Sequence, residues 1–591
     1  MLSDETLKRY FLEELEYLRT ESVRFAGDYP EVAQELSLNR ERSGDPHIEM
    51  MLQSFAYLTG HLRYQMDLDD ALLPNQLLAA LSPHLEAPWP AASVVQFDVT
   101  QGNFASVQCV KRNTPLSTEI DMHGKRYPCR FITRYDTEVW PIEVTRVTAP
   151  PHNLIRAVKP GSGVFAALCV HLRAFQGFRF DGFPMQRLSF YLHGPDRFRL
   201  YDQLKNHLQG ILVRNPVDDS YYSLPVSALG FKGLDTEDSL LPGDAGVNPG
   251  LPLLREYFLF PDKFLFGTLE GLSTKGFEQE LEIIFLLSQE CEALTTDAFK
   301  VNCAPVINLF RQAIEPIHLR ATRLEYPVTG DQFHHAHCEI HSLGEVYFLY
   351  PDGTTQSLQP LYGDRNSPFG YWVARREPSQ LPSVTGTEYF LRFLNEQFEP
   401  DWQPGMSVMG RAWCTNRNLP ERLPLAGNLQ MEVPGVVQTA RMVKRPSRHQ
   451  SPQLTGDQTR RLVAQLNSHY LPLRSGAEGL EALRQLLVQH IPADQAGARR
   501  QIAALLALSC RMVGHHVGDE AWRGYCHGTE LTLSVNIHYF DRASVILFGE
   551  VLNECLAHFV PLNSFVSLIL RDADGELIRR WPARVGTQCL L

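Results

Sequence analysis

The chain carries a dense apolar segment near its middle, LPLLREYFLFPDKFLF at residues 251–266, with five aromatic rings and five leucines in sixteen residues. A segment of this density is expected to be buried, because exposing so much apolar surface to water is unfavourable. The spacing of Leu254, Tyr257, Phe258 and Phe260 predicts a short helix that ends at Pro261, since proline lacks an N–H donor and clashes with the preceding turn. Residues 264–266 are then predicted to begin a strand.

Four charged residues lie within this segment: Arg255, Glu256, Asp262 and Lys263. Burying an unpaired charge is costly, so their positions predict ion pairs or hydrogen bonds at the edge of the apolar cluster. The simplest interpretation of the segment is core packing, because apolar periodicity usually marks a core.

The chain is an ordinary globular protein in length and composition. Its 591 residues predict roughly three to five domains or subdomains. Hydrophobic residues make up 44% and charged residues 21%, values typical of folded soluble domains. The formal net charge is -12 and no long block of lysine or arginine occurs, which argues against nucleic-acid binding or attachment to anionic membranes. Protein partners are therefore expected.

The cysteines predict a reduced compartment rather than a disulfide framework or a zinc ribbon, because they are odd in number and contain no CxxC pair. The eleven residues are Cys109, Cys129, Cys169, Cys291, Cys303, Cys338, Cys414, Cys510, Cys526, Cys555 and Cys589. The acidic, amphipathic first residues do not resemble a secretion signal, and the longest apolar runs are far shorter than the roughly 20 residues that cross a bilayer. We expect a cytoplasmic chain without direct membrane insertion.

The first 92 residues are predicted to be helical. Apolar positions from Leu7 to Phe25 follow helical spacing, and a second helix is predicted with Asp45 as N-cap and Pro46 at its first position. Its apolar face comprises Ile48, Met51, Leu52, Phe55, Leu58, Leu62 and Met66. This stripe is expected to pack on another helix. A third short helix is predicted at residues 75–81.

Strand patterns dominate from residue 93 onwards, and helices return near the end of the chain. Residues 277–287 read as a strand buried on both faces. Helices are predicted at 458–466, 479–489 and 499–513, followed by a strand at 544–548, a helix at 550–559, and strands at 564–570 and 576–581 around the DADG turn. The predicted fold class is α+β and multidomain, with a helical N-terminal region, a β-rich middle and an α+β C-terminal unit. The predicted regions are 1–92 (helical), 93–329 (β-rich, with the aromatic segment), 330–457 (second β-rich) and 458–591 (α+β).

One stretch, HHAHCEIH, groups residues that can bind a metal: His334, His335, His337, Cys338 and His341. On a strand, His335, His337 and His341 would share one face and offer three imidazoles to Zn²⁺ or Cu²⁺. Solvated histidines in a polar strand or loop are the competing interpretation, and we favour it because His-rich tracts are weak signals. The adjacent residues His515 and His516 point apart on any element, so they are a weaker candidate for a metal site.

The common catalytic signatures are not found in the sequence. Gly161, Gly163 and Ala166 match GxGxxA, but a strand-like segment follows where a dinucleotide fold needs a helix. The sequence contains no phosphate-binding GxxxxGK[ST], no GxSxG and no HExxH. We therefore predict no enzyme activity and no catalytic, cofactor-binding or metal-binding residues.

The sequence resembles the TssF family, also called VasA or ImpG, of the bacterial type VI secretion system. The resemblance is carried in order along nearly the whole chain by RYFLEELEYLR at 9–19, FAGDYPEVAQEL at 25–36, DPHIEMMLQSFAYLTGHLRYQMD at 45–67, CRFITRYDTEVWPIEV at 129–144, LLREYFLFPDKFLF at 253–266, CAPVINLF at 303–310 with EPI at 315–317, CTNRNLP at 414–420, LVAQLNSHYLPL at 462–473 and VLNECLAHFVPLNSF at 551–565. Two positions depart from the family: Leu251–Pro252 replaces a frequent Tyr-Arg pair, and His527–Gly528 replaces a usual Arg-Gly.

The resemblance implies a scaffold without catalysis or cofactor. Two TssF copies would intertwine around one TssG, with TssK attached through TssG and TssE at the sheath end. Six such wedges would ring the spike protein VgrG and dock on the inner-membrane complex. Helices whose apolar stripe is not used within the chain suit this role, since they can bury it against partner chains.

Two other functions remain open from the residues alone. A metal-dependent enzyme built around His334–His341 predicts metal bound to the purified protein. A carbohydrate-binding β-sandwich would fit the many short strands, although no aromatic platform for a sugar is identifiable.

Overall fold

The computed structural model describes most of the chain. The described residues are 5–35, 45–99, 107–122, 124–149, 163–175, 177–182, 185–242, 249–290, 296–320, 322–361, 370–379, 381, 384–395, 397, 399, 405–433, 435–452, 456–467, 474–492, 495–516, 525–562 and 564–586. Three residues named above lie outside them: Gly161, Cys291 and Cys589. Residues 468–473, the second half of LVAQLNSHYLPL, also lie outside them, as do 243–248 and 453–455.

The helices cluster at the two ends of the chain. They are α1 Glu5–Asp28, α2 Pro30–Glu35, α3 Pro46–Asp70, α4 Leu72–Leu81, α5 Pro83–Glu86, α6 Arg197–Asn206, α7 Gly250–Leu259, α8 Gly456–Asn467, α9 Ala477–Val488, α10 Ala496–Ala503 and α11 Val545–Ala557. Among the described residues, no helix combines the length and apolarity needed to span a bilayer.

Strands fill most of the region between these helical ends. They are β1 Ala92–Phe97, β2 Gln108–Val110, β3 Pro115–Met122, β4 Lys125–Thr133, β5 Thr137–Val139, β6 Ile142–Thr148, β7 Ala166–Ala174, β8 Arg187–Leu192, β9 Leu208–Arg214, β10 Tyr221–Leu224, β11 Leu229–Phe231, β12 Phe266–Glu270, β13 Glu280–Leu287, β14 Phe299–Val301, β15 Cys303–Ile307, β16 Phe310–Ala313, β17 Ile317–His318, β18 Tyr326–Val328, β19 Glu339–Leu349, β20 Thr355–Pro360, β21 Tyr371–Pro378, β22 Thr387–Leu394, β23 Ser407–Thr415, β24 Asn428–Met431, β25 Thr439–Met442, β26 Leu505–His516, β27 Tyr525–Val535, β28 Phe565–Arg571, β29 Leu577–Arg580 and β30 Arg584–Val585.

These strands form several separate sheets. A closed barrel has the order β1-β15-β4-β3-β24-β25, and two further sheets have the orders β10-β9-β13-β7-β6 and β11-β12-β8-β14. An eight-stranded sheet contains β16 to β23, and β26 to β30 form the C-terminal sheet, while β2 pairs with β5. The α+β class, the helical N-terminal region and the β-rich remainder are confirmed. The division into four regions stays a prediction; the barrel pairs strands from the second and third of them.

The N-terminal helices begin and end close to where the sequence predicts. The Asp45 carboxylate accepts a hydrogen bond of 2.8 Å from the His47 N–H, which confirms Asp45 as the cap of α3. The third predicted helix begins three residues earlier, at Leu72, and a short helix, α5, follows it from Pro83. The change from helix to strand at residue 92 is confirmed.

The sequence assigns two segments of the C-terminal unit to the wrong element. Residues 499–513 are predicted as one helix, but α10 ends at Ala503 and β26 runs from Leu505 to His516, paired along β27. Residues 544–548 are predicted as a strand, but the Ser544 hydroxyl accepts from Leu547 N at 2.7 Å and caps α11. Both are short apolar runs, whose periodicity does not distinguish a buried helix from a buried strand.

Candidate functional site

The aromatic segment at 251–266 forms a buried junction, and we call residues 250–266 the central junction. Helix α7 ends at Leu259, before Pro261, as predicted. The strand predicted from residue 264 is wrong by two residues, because Pro261–Leu265 forms a 3₁₀ helix and β12 begins at Phe266. The side chain of Phe264 is 1% exposed.

Arg255, the first charged residue of the central junction, connects it to the N-terminal region. Arg255 donates hydrogen bonds to the carbonyl of His84 and, at 3.2 Å, to that of Ala87. Its guanidinium also lies 5.8 Å from the ring centre of Trp89. Burial lowers the pKa of Arg255 to about 10. These carbonyls therefore hold α7 against the segment that leads into the barrel.

A buried ion pair lies within the central junction itself. Lys263 Nζ contacts Glu256 Oε2, and the side chains are 1% and 2% exposed. The other oxygen of Glu256 accepts from the Ser239 hydroxyl at 2.9 Å and from Leu240 N at 2.8 Å. The carboxylate is thus fully surrounded by donors, as a buried charge requires.

Asp262 is the third charged link, and it joins the central junction to two distant segments. Its carboxylate accepts from Arg197 Nε and from the Tyr191 hydroxyl, each at 2.9 Å, and contacts Lys444 Nζ. Burial alone would raise the pKa of Asp262, but the Lys444 and Arg197 cations outweigh burial and hold it below its usual value. The prediction that the charges of this segment are paired is confirmed.

The central junction also contacts the C-terminal unit. The Tyr257 hydroxyl donates to Gln501 Oε1 at 3.0 Å, and the Tyr257 and Phe548 rings lie 5.9 Å apart. Together with Arg255 and Asp262, these contacts connect the N-terminal region, the segments around Arg197 and Lys444, and the C-terminal unit. The central junction is therefore a structural hub.

The N-terminal helices α1 and α3 pack through small side chains. Ala56 is completely buried, and a Cβ atom added at Gly60 would lie 3.1 Å from the backbone of Phe11. The Tyr10 hydroxyl donates to Asp67, Arg19 pairs with Glu49 at 2.6 Å, and both contacts bridge the two helices. This small-residue face lets the backbones approach closely.

The opposite face of α3 carries the predicted apolar stripe, and it is exposed. Met51, Phe55, Leu58, Leu62 and Met66 are 57%, 55%, 62%, 64% and 61% exposed; we call these five residues the docking face. Among the described residues, the predicted stripe is left exposed along these five positions, and α1 packs on the Ala56–Gly60 face instead. A continuous exposed row of large apolar side chains marks an interaction surface.

We expect Gly60→Leu to separate α1 from α3, since a leucine side chain cannot fit against the Phe11 backbone. The N-terminal helices should then become susceptible to limited proteolysis at low protease concentration. The matched control is Gly27→Leu in α1, where an added Cβ meets nothing within 4 Å and leucine favours the helix by roughly 1 kcal/mol over glycine. Equal protease resistance of the two variants would contradict the close helix contact.

The histidine-rich stretch does not form the predicted three-imidazole face. Residues 335–337 form a 3₁₀ turn, because Asp331 accepts hydrogen bonds from the N–H groups of Phe333 and His334 and turns the chain there. His341 is on β19 and buried. The expected shared strand face is therefore wrong.

The histidine side chains instead contact other residues, although His334 and His337 both pack edge-on against Tyr127 and line one small cavity with Cys338. His334 Nδ1 lies 2.8 Å from Asp331, and His335 Nε2 lies 3.2 Å from Glu388. The His337 ring packs edge-on against Tyr127, with 4.7 Å between ring centres. His515 and His516 lie on β26. Sequence spacing could not reveal these partners, because each is distant in the chain or set by a turn.

Comparison with known proteins gives consistent results along the whole chain. Residues 3–588 match the family model described as type VI secretion system, TssF. The chain is 30% identical to the type VI secretion system component TssF1 of Pseudomonas aeruginosa over 615 aligned positions, covering 98% of this chain and 99% of that protein.

Solved structures show a similar fold. One is a chain of the TssK-TssF-TssG baseplate subcomplex of the type VI secretion system, determined by cryo-electron microscopy, with a TM-score of 0.74, 22% identity, and coverage of 90% of this chain and 98% of that chain. Another is a chain of the type VI secretion baseplate complex, with a TM-score of 0.60, 21% identity, and coverage of 98% and 100%.

Proposed function

Because this chain belongs to the TssF family of the type VI secretion system, we propose that it is a structural subunit of the secretion baseplate. It acts by binding partner chains and not by catalysis. The observation that carries this proposal is the docking face on α3, a row of large apolar side chains that the chain itself leaves in water.

The partners we propose are TssG and a second copy of this chain, with two copies for each TssG. TssK would attach through TssG, TssE would lie at the sheath end, and the assembled ring would surround the VgrG spike. The similar structures come from a TssK-TssF-TssG subcomplex and a baseplate complex, which supports the first of these partners. We place the assembly in the cytoplasm, docked on the inner-membrane complex.

Covering the exposed apolar side chains of the docking face with a partner helix would be favourable. Fully burying a leucine, methionine or phenylalanine side chain contributes roughly 1.5–3 kcal/mol, and each of the five residues is more than half exposed. Covering the whole face would thus contribute on the order of 5 kcal/mol before the entropic cost of association. An amphipathic helix from TssG or from the second copy would supply a matching apolar stripe.

The central junction supports the proposal in a different way. Its buried charges pair with protein groups on several parts of the chain, as expected for a rigid scaffold that transmits load. We infer that the central junction fixes the position of the N-terminal helices relative to the C-terminal unit, so that the docking face is presented in a constant orientation.

The double variant Leu58→Asp/Leu62→Asp tests the docking face. Two carboxylates in an apolar interface would lose hydration without gaining partners, so co-purification with TssG should weaken at least about 100-fold, or about 2.8 kcal/mol. Affinity capture on tagged TssG, followed by titration of the captured complex, measures the loss.

The matched control is Val217→Asp, which places a carboxylate at another apolar residue, 72% exposed, in the turn between β9 and β10. Both variants should keep the thermal unfolding midpoint of the original chain, because the substituted side chains are exposed. TssG binding by the double variant at the strength of the control would overturn the assignment of the docking face.

A further inference from the structure

Three potential metal ligands converge on the sheet formed by β9, β13, β7 and β6, away from the docking face. His171 on β7 pairs in register with Glu282 on β13, and Cys169 precedes His171 by two residues on the same face of β7. The donor atoms of Cys169, His171 and Glu282 all lie within 4.8 Å of one another. Antiparallel pairing thus brings the thiol of Cys169 and the imidazole of His171 next to the carboxylate of Glu282, which lies 113 positions after Cys169 in the sequence.

The surrounding side chains orient two of these groups. Thr148 Oγ lies 2.9 Å from His171 Nε2, and Arg214 donates to Glu282 Oε2 at 2.9 Å. The remaining imidazole nitrogen, Nδ1, and the remaining carboxylate oxygen, Oε1, face each other at 2.9 Å. Hydrogen bonds to the far side of histidine and carboxylate ligands are the usual support of a protein metal site.

Charge and burial fit a cation at this position. Glu282 supplies a carboxylate that is held in position by its ion pair with Arg214. Cys169 packs beside the apolar side chains of Leu212, Ile284 and Leu286, which form a dry wall behind the thiol. His171 is only partly buried and leaves an approach from solvent.

We propose that Cys169, His171 and Glu282 form a binding site for a divalent transition metal, with Zn²⁺ as the ion that best fits this donor set. Zinc takes thiolate, imidazole and carboxylate ligands at roughly 2.0–2.3 Å in a tetrahedral arrangement. The three protein ligands supply three positions, and water takes the fourth. The ion would join β7 to β13 across the sheet.

The proton balance of binding is defined by the same contacts. Metal ions bind the thiolate form of cysteine, so the Cys169 thiol must lose its proton on binding. Binding forms the metal–sulfur bond and releases that proton to solvent. The metal replaces the contact between His171 Nδ1 and Glu282 Oε1, and the proton on Nδ1 leaves to solvent. His171 then coordinates through Nδ1 as the neutral ring, with its hydrogen on Nε2 donated to the Thr148 hydroxyl. Glu282 coordinates through Oε1 and keeps Arg214 on Oε2.

Cobalt provides a direct test with the full-length chain, or with its complex with TssG if the chain alone is insoluble. Co²⁺ added to the metal-free protein should bind with one equivalent and produce thiolate-to-cobalt charge-transfer absorption, which excess Zn²⁺ should abolish. No charge-transfer absorption in the unsubstituted protein would overturn the proposal, and this arm requires no variant.

Substitutions then assign the site. Cys169→Ser should remove the charge-transfer band, and Glu282→Gln should weaken Co²⁺ binding at least tenfold. Cys303→Ser is the matched control, because Cys303 is also a buried thiol on a strand, and it should keep both the band and the affinity. If Cys169→Ser retains the band, the thiolate ligand is elsewhere and the proposal fails.

Discussion

Replacing Lys263 with methionine is expected to destabilise the chain by about 3–5 kcal/mol, the usual cost of removing one partner from a buried ion pair. Methionine fills a similar volume, so the loss reflects the Glu256 carboxylate, which stays buried without its cation. Ser239 and Leu240 still donate to the other oxygen, but they carry no charge. Because the unfolding entropy grows with chain length, the thermal unfolding midpoint should fall by roughly 3 °C when the whole chain unfolds as one unit.

Two further variants separate the charge effect from packing. Lys111→Met removes an exposed pair, in which the side chains of Lys111 and Asp136 are 71% and 56% exposed and lie 3.4 Å apart. It should leave the unfolding midpoint essentially unchanged, because solvent screens exposed pairs. Adding Glu256→Gln to Lys263→Met should recover part of the lost stability, because the buried charge is removed as well. A Lys263→Met protein that melts with the original chain would show that the ion pair does not support the central junction.

Phe264→Ala should cost about 3–5 kcal/mol through lost apolar burial and the cavity left behind. Phe264 is 1% exposed, its ring lies 6.4 Å from that of Tyr257, and an added Cβ on Gly233 would lie 2.9 Å from Phe264 Cδ1. The surroundings are therefore packed closely enough that they cannot collapse fully into the space. Thermal unfolding followed by circular dichroism measures the change.

Phe333→Ala is the matched control, since Phe333 is 93% exposed and its ring contributes little to burial. Its unfolding midpoint should stay within about 1 °C of the original. Equal melting of the Phe264→Ala protein and this control would show that the central junction is not part of the core.

Local chemistry determined the parts of the fold that the sequence predicts well. Asp45 and Pro46 mark the start of α3 because a cap and a first-turn proline act within a few residues. Pro261 ends α7 for a similar local reason. The charges of the central junction could be predicted to be paired, but their partners Arg197 and Lys444 could not, because tertiary packing selects them.

The wrong assignments arise where pairing partners decide between helix and strand. The apolar run 502–508 fits either element, and its second part becomes the start of β26 because β27 supplies the hydrogen bonds of a strand from Leu505 onwards. The sequence predicts the apolar stripe that forms the docking face, but not that α1 packs on the other face of α3, because Gly60 and Ala56 decide where α1 packs. Likewise, the Asp331 turn separates the histidines that a strand would have aligned.

The proposal that two copies of this chain bind one TssG is tested by the mass of the complex formed on co-expression with TssG. After affinity purification, size-exclusion chromatography with light scattering gives the subunit ratio, using the 67.1 kDa mass of this chain. We expect a stable complex with two copies of this chain for each TssG, in which partner chains cover the docking face. Elution of this chain alone as a well-behaved monomer, with TssG in a separate peak, would contradict it.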